Sequence, residues 1–339
     1  MTAPESFAIG WHAPVLVHEV CAVLADAPRI LDGTLGGGGH SAALLERGHH
    51  VVGVDRDESA RAVARERLRG FEERGTFEAV AGNHDAIDDI AVLDGRSFDG
   101  ILLDLGVSSH QLDADARGFS FRPGVALDMR MDPSQELDAA GYLNTAEERE
   151  LERMFKEFGD EPKARRMARE IVHRRERKPF ATADDLVGAI RAVLGSRSGP
   201  GEFARLFQAV RIAVNDELDG LARGLVTLRE RLAPGGVLAV IAYHSGEDRL
   251  VKHLFREWST ECTCPPRQPM CTCRGVALGT LVTRKPITAS ETETAVNPRA
   301  RSAHLRVWRK AGGALKEQRS GARRRDAEAL GDQTHDSGR

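Results

Sequence analysis

Aromatic side chains are scarce, at 5% of 339 residues, and no apolar run is longer than Val237 to Ala242. Crossing a bilayer takes roughly 20 apolar residues, so no segment is expected to span a membrane. The first ten residues, Met1 to Gly10, lack a basic region and an apolar stretch, so secretion is not expected and the cytoplasm is the expected compartment. Only five cysteines are present, and four of them fall between Cys262 and Cys273, which excludes a disulfide framework as the basis of the fold. A net charge of -3 excludes a uniformly basic coat. What is present, 41% hydrophobic and 29% charged residues, is the composition of a folded soluble protein long enough for two domains or one domain with a large insertion.

The average charge hides segregation. Lys163 to Lys178 carries eight basic and two acidic residues, and Asn297 to Arg325 carries ten basic and one acidic. These are the candidate contacts for a polyanion, although a solvated helix face followed by a disordered tail has the same signature.

Short apolar runs that end in Gly, Asp or Ser alternate with helical patterns, as in a parallel sheet covered by helices. Seven strands are expected, at Arg29 to Thr34, His50 to Asp55, Phe77 to Ala81, Phe98 to Leu105, Gly236 to Tyr243, Gly279 to Arg284 and Ala303 to Arg309. Between the fourth and fifth lie residues 106–235, far more than a crossover helix needs, and this insert reads helical. Thr145 with Glu148 reads as a capping box ahead of the stripe Leu151, Met154, Phe155 and Phe158, and Thr182 opens a second helix. The expected organisation is an α/β unit at 1–107 and 216–311, an all-helical unit at 108–215, and a basic, disordered tail at 312–339.

Asp32 to Ser41 (DGTLGGGGHS) joins the first strand to a helix, where an open α/β sheet binds nucleotide-like ligands. Glycines such as Gly36, Gly38 and Gly39 let a ligand approach the backbone, and His40 follows them. The second strand ends in Asp55, an acid placed to accept from ribose hydroxyls. This pattern fits an adenosine-bearing cofactor, either a nicotinamide dinucleotide or S-adenosylmethionine, and a Gly-rich turn without a ligand has a similar appearance. The acid Asp32 favours the cationic sulfonium, because a pyrophosphate there would be repelled. His84 after the third strand and Asp104 at the end of the fourth are expected at the same rim.

Several segments carry a resemblance: His12 to Leu16, Asp32 to Ser41, Gly100 to Ser109, Gln111 to Asp113, Arg117 to Phe121, Leu127 to Asp132, Phe207 to Arg211, His244-Ser245 and Asn297 to Ser302. From His12 to Arg309 the chain resembles the RsmH (MraW) family of bacterial 16S rRNA cytosine-N4 methyltransferases. The resemblance implies a class I, Rossmann-like, S-adenosylmethionine-dependent fold with a helical domain inserted after the fourth strand. It also implies cofactor contacts at Gly38, Gly39, His40, Asp55, Asp104 and Gln111, and a target near the decoding site of the small ribosomal subunit. His84 stands where the family often has an aromatic.

Methyl transfer to an exocyclic amine needs alignment and an acceptor for the amine's protons. Asp104 is the first candidate and His244, at the end of the fifth strand, a weaker one. Each also has a bland reading, Asp104 as a capping acid and His244 as a structural histidine. Phe119 and Phe121 are candidates to hold an extruded base, and Arg117, Arg122, Arg130 and Arg211 to hold phosphates, with core packing an equal reading of the two Phe. Cys262, Cys264, Cys271 and Cys273 form two Cys-x-Cys pairs that either bind a structural zinc or stay reduced. An RNA-binding assembly factor without turnover, a nicotinamide-dependent oxidoreductase and a homodimer all remain open at this point.

Overall fold

The computed structural model describes residues 14–106, 118–132, 135–262, 264, 265, 268, 270, 272, 273 and 275–312. Gln111, Arg117, Cys271 and nearly all of the expected tail lie outside the described residues.

In chain order the elements are α1 (Val17–Val23), β1 (Arg29–Asp32), α2 (Gly39–Leu45), β2 (His50–Asp55), α3 (Glu58–Glu73), β3 (Phe77–Ala81) and β4 (Phe98–Asp104). Five helices follow, α4 (Ala139–Thr145), α5 (Glu148–Glu157), α6 (Ala164–Arg175), α7 (Ala183–Leu194) and α8 (Pro200–Val214). The chain then returns through α9 (Glu217–Arg231), β5 (Leu232–Ala242), α10 (Ser245–Trp258), β6 (Gly279–Leu281), β7 (Ile287–Thr288), α11 (Glu291–Val296) and β8 (His304–Lys310).

The sheet runs β3-β2-β1-β4-β5-β8-β6, with the two-residue β7 paired to β8. The first five strands in this order are parallel, and β8 is antiparallel to its neighbours. This is the expected class I α/β arrangement, with the seven expected strands and β7 in addition. Strand order reverses between β1 and β4, so a crevice opens at their carboxyl ends.

Both faces of the sheet are covered, which is why its strands read as continuous apolar runs. Along β5, Val237, Ala239 and Ile241 face the core shared with α1, α2 and α3. Leu238, Val240 and Ala242 face the opposite core, which contains Leu221, Leu225 and Leu228 of α9 and Val251, Phe255 and Trp258 of α10. A third core is built only from residues between Phe119 and Val210, including Leu151, Phe155, Ile171, Ile190, Leu206 and Phe207. Helices α4 to α8 therefore bury their apolar faces against one another, whereas α9 already belongs to the sheet.

Helix starts follow local chemistry. Asp57 accepts from the Ser59 N–H at 3.0 Å to cap α3, and the Asp185 carboxylate accepts from the Thr182 N–H at 3.0 Å to begin α7 as expected. The other expected capping box is displaced: Thr145 ends α4, and α5 is capped by Glu147, whose N–H donates to Glu150 at 3.0 Å. The junction between the helical unit and the sheet is held by Asn215 at the end of α8. Its amide oxygen accepts from Met131 N–H at 2.7 Å and its Nδ2 donates to Met129 O at 2.8 Å, fixing Met129 at φ 59°.

Candidate active site

The carboxyl ends of β1 to β5 surround a cavity of about 480 Å³. Its walls are Gly33 to Gly37 after β1, Asp55 to Asp57 after β2, Gly82 to Asp85 after β3, Asp104 to Gly106 after β4, and Tyr243, His244 and Glu247 after β5. The helical unit closes one side with Met131, Gln208, Arg211 and Asn215, and Asn297, Arg299 and Ser302 close another.

The two acids expected to hold a cofactor differ in what they have left to give. Asp55 accepts the Gly36 N–H at 2.8 Å on one oxygen and the Asp57 N–H at 2.9 Å on the other. A carboxylate has about four lone-pair sites, so each oxygen retains capacity towards the cavity that it lines. Burial pushes the Asp55 carboxyl up, against the pull of those backbone donors. Asp32, by contrast, is 1% exposed and does not line the cavity. One of its oxygens accepts from Ser41 Oγ at 2.7 Å and the other from Thr34 N–H at 3.2 Å. Asp32 braces the loop through these two contacts, from behind the cavity wall. Gly38 packs closely on α3: at φ 74°, a Cβ there would meet Leu68 Cδ1 at 3.0 Å and Ala64 Cβ at 3.3 Å, so a side chain is excluded at this turn of the loop. Gly36, at φ 50°, does line the cavity, and a Cβ would meet only Thr34 O, at 3.9 Å. Gly39 and His40 line it as well.

Asp104 sits at the centre of the rim. Tyr243 Oη donates to its Oδ1 at 2.8 Å, and its own N–H donates to Thr34 Oγ1 at 2.6 Å. Oδ2 lies 3.5 Å from His40 Nδ1. The other nitrogen of that ring, Nε2, is 2.8 Å from Val15 O, and because a carbonyl only accepts, Nε2 carries the hydrogen and Nδ1 faces Asp104. Burial pushes the Asp104 carboxyl above the usual carboxylate range, while His40 and the Tyr243 hydroxyl pull it down. Burial and the neighbouring Asp104 raise the Tyr243 phenol well above its ordinary value, so it remains a donor at neutral pH.

His84 lines the cavity, and burial, helped by the nearby Arg56 charge, lowers it to about 4; it is a neutral imidazole at pH 7. His244 is the cap of α10. Its Nδ1 accepts from the N–H groups of Gly246 at 3.2 Å and Glu247 at 3.3 Å, which leaves Nε2 as the protonated nitrogen. With Nδ1 so occupied, the ring presents a donor and not the proton acceptor expected from the sequence. Burial raises the Glu247 carboxyl, but His244, the Tyr243 N–H at 2.9 Å and Arg211 outweigh it and hold Glu247 below the usual range.

The residues expected to touch RNA are largely engaged elsewhere. Phe119 is 8% exposed and in the helical core, and Phe121 meets Phe203 and Phe207 edge-on at 6.0 Å each. Phe119 is thus part of the helical core, and the half-buried Phe121 packs against its edge. Arg130 makes a two-pronged contact with Asp128, at 2.8 and 2.9 Å, and also donates to Gln135 O at 2.6 Å. Arg211 does the same with Glu217, at 2.8 and 2.9 Å, so neither offers its fork to a phosphate. Arg122 is exposed. Sequence reasoning gave no role to Tyr243 or Glu247, and took Asn297 and Arg299 as part of a basic stretch and of the family resemblance and not as cavity wall. The Asn297-Pro298-Arg299 segment was a visible signal, whereas the Tyr243 to Asp104 bond joins residues too distant in sequence for pattern to pair.

Comparison with known proteins bears on this arrangement. The protein named Ribosomal RNA small subunit methyltransferase H from Gemmatimonas aurantiaca is 61% identical over 310 residues, covering 91% of this chain and 98% of that one. Its namesake from Heliobacterium mobile is 46% identical, covering 88% of this chain and 98% of that one. Among solved structures, an rRNA methylase from Streptococcus thermophilus aligns over 90% of this chain and 99% of its own, with a TM-score of 0.39 and 12% identity. The profile of the MraW methylase family matches residues 10–311, which include every element named above, and the chain belongs to that family.

Proposed function

We propose that this chain transfers a methyl group from S-adenosylmethionine to the N4 amino group of a cytidine in 16S rRNA, near the decoding site of the small ribosomal subunit. The names of its relatives support small-subunit rRNA as the substrate, and family membership supports methyl transfer. The observation that carries the chemistry is Asp104: a carboxylate on the cavity wall, held by Tyr243 and facing His40 at 3.5 Å.

The residues present fit the cofactor. Asp55 has acceptor capacity for ribose hydroxyls, neutral His84 offers an uncharged ring wall, and the Gly36 loop leaves backbone exposed. When bound, S-adenosylmethionine supplies an electrophilic methyl group on a sulfonium. The protein's own work is to hold the amine and take its proton. A cytosine N4 lone pair is delocalised into the ring, and an N4–H donated to Asp104 Oδ2 favours the pyramidal, nucleophilic nitrogen. The same oxygen accepts the proton that N4 loses once the new N–C bond forms. Tyr243 fixes the carboxylate's orientation through Oδ1, so Oδ2 is the reactive atom. The exposed Arg165, Arg166 and Arg169 of α6 offer a phosphate-binding face on the helical unit.

The test is incorporation of labelled methyl into small subunits and into naked 16S rRNA by the native chain and by Asp104→Ala, followed by nucleoside mass spectrometry. Asp104→Ala is expected to lower turnover by about 10²-fold to 10⁴-fold. Undiminished N4-methylcytidine would remove Asp104 from the mechanism, and salt-sensitive subunit binding without any methyl incorporation by the native chain would favour an assembly factor.

A further inference from the structure

The loop between α10 and β6 lies apart from the cavity and has no part in the chemistry above. Its base is closed, with Leu278 N–H donating to Trp258 O at 2.7 Å, and Trp258 packs edge-on against Trp308 of β8 with ring centres 5.3 Å apart. Within the loop three thiols converge. The sulfurs of Cys262, Cys264 and Cys273 all lie within 4.8 Å of one another, and Cys262 Sγ and Cys273 Sγ are 3.8 Å apart.

That spacing has a physical meaning. A disulfide would hold its sulfurs about 2.05 Å apart, so the Cys262 and Cys273 sulfurs are not bonded to each other. A tetrahedral zinc bonded to thiolates at about 2.3 Å separates neighbouring ligands by about 3.8 Å, the edge of the tetrahedron. A second observation points the same way. Thr272 N–H donates to Cys264 Sγ at 3.4 Å, the kind of backbone donor that stabilises the charge of a metal-bound thiolate. The turn that aims this donor is itself pinned, because Gln268 Nε2 donates to Met270 O at 2.9 Å and to Thr272 Oγ1 at 2.8 Å.

We infer that Cys262, Cys264 and Cys273 bind a zinc ion, for which the sequence offers a fourth thiol at Cys271. Soft thiolates select zinc over the hard cations, and a set of sulfur ligands away from the cavity fits a structural site and not a catalytic one. The ion would act as a rivet that turns the loop into a rigid knuckle above the Trp258 and Trp308 pair. Binding needs the thiols as thiolates, so zinc is held at neutral pH and released, with proton uptake, on acidification.

The test uses the full-length chain purified without a metal-binding tag. Elemental analysis is expected to find one zinc per chain, released by a mercurial reagent and lost on acidification. Cobalt(II) exchanged into the site is expected to give thiolate-to-metal charge-transfer absorption. The double variant Cys262→Ser/Cys273→Ser is expected to retain about tenfold less zinc or lower still, with cofactor binding by calorimetry unchanged. A metal-free chain whose four thiols react at once with a thiol reagent would overturn the assignment, as would iron in place of zinc or a disulfide found by mass spectrometry. Because the readout is metal content, failure here would leave the methyl-transfer reading intact, and the converse also holds.

Discussion

The carboxylates at the ends of β2 and β4 line the cavity, as does Arg211 of the helical unit, while Arg130 lies outside its walls, and acids and arginines handle their charge differently. Asp55 and Asp104 are steadied by a few backbone or hydroxyl donors and keep acceptor capacity towards the cavity. Arg130 and Arg211 spend their forks on Asp128 and Glu217. A strand that ends at a crevice presents its last side chain while neighbouring N–H groups hold it from one side only. A helical unit that must bury its faces uses the charges nearest its core to close its own seams, and leaves only those on outer faces, such as Arg165 and Arg166, for a partner.

The largest effect that could break this comparison is on Arg211. If its contact with Glu217 is a seam, Arg211→Met leaves a nearly buried carboxylate without its partner and lowers stability by about 3 kcal/mol, read from chemical denaturation. Arg169→Ala, which removes an exposed pair with Glu148, is expected to cost less than about 1 kcal/mol. Equal stabilities for the two variants would return Arg211 to the list of free RNA contacts.

A second test sharpens the other side. Turnover that needs the Asp104 carboxylate falls as pH drops through its pKa, which burial has raised above the usual carboxylate range. Tyr243→Phe removes a hydrogen bond that favours the charged form, so the pKa rises further and the acid limb of the rate profile moves to higher pH. A limb that stays in place or moves to lower pH would separate Tyr243 from the reacting carboxylate.

The smallest effect expected concerns α6. Replacing Arg165 and Arg166 with serine leaves turnover at saturation unchanged but reduces the slope of log affinity against log salt by about 1.5, if each side chain meets one phosphate. An unchanged slope would move the RNA face elsewhere.

The seven strands, the helical insertion and the Gly loop were legible because apolar runs, glycine spacing and terminal acids are local signals. Their limits are local too. The expected fifth strand began at Gly236, yet β5 starts at Leu232, where the pairing of Phe98 with Leu232 is followed by a register shift across Gly100. β7, at two residues, offers no alternation to detect. Pattern marks Asp32 as a strand-end acid but does not reveal that Ser41, nine residues on, turns back to occupy it. Phe119 and Phe121 alternate like a binding face, and only the arrival of Phe203 and Phe207 from α8 makes Phe121 part of a core.

Leu16, at the start of α1, donates its N–H to Glu293 Oε1 at 2.7 Å, a carboxylate 277 residues downstream. Pro14 and Val15 beside it, and Asn297 and Arg299 near Glu293 in sequence, all line the cavity. This clasp sets an order of assembly. While the chain is still emerging from the ribosome α1 lacks this partner, which arrives only with α11. A fragment released before Glu293 would have the glycine loop and every acid of the rim but lack the clasp that closes them.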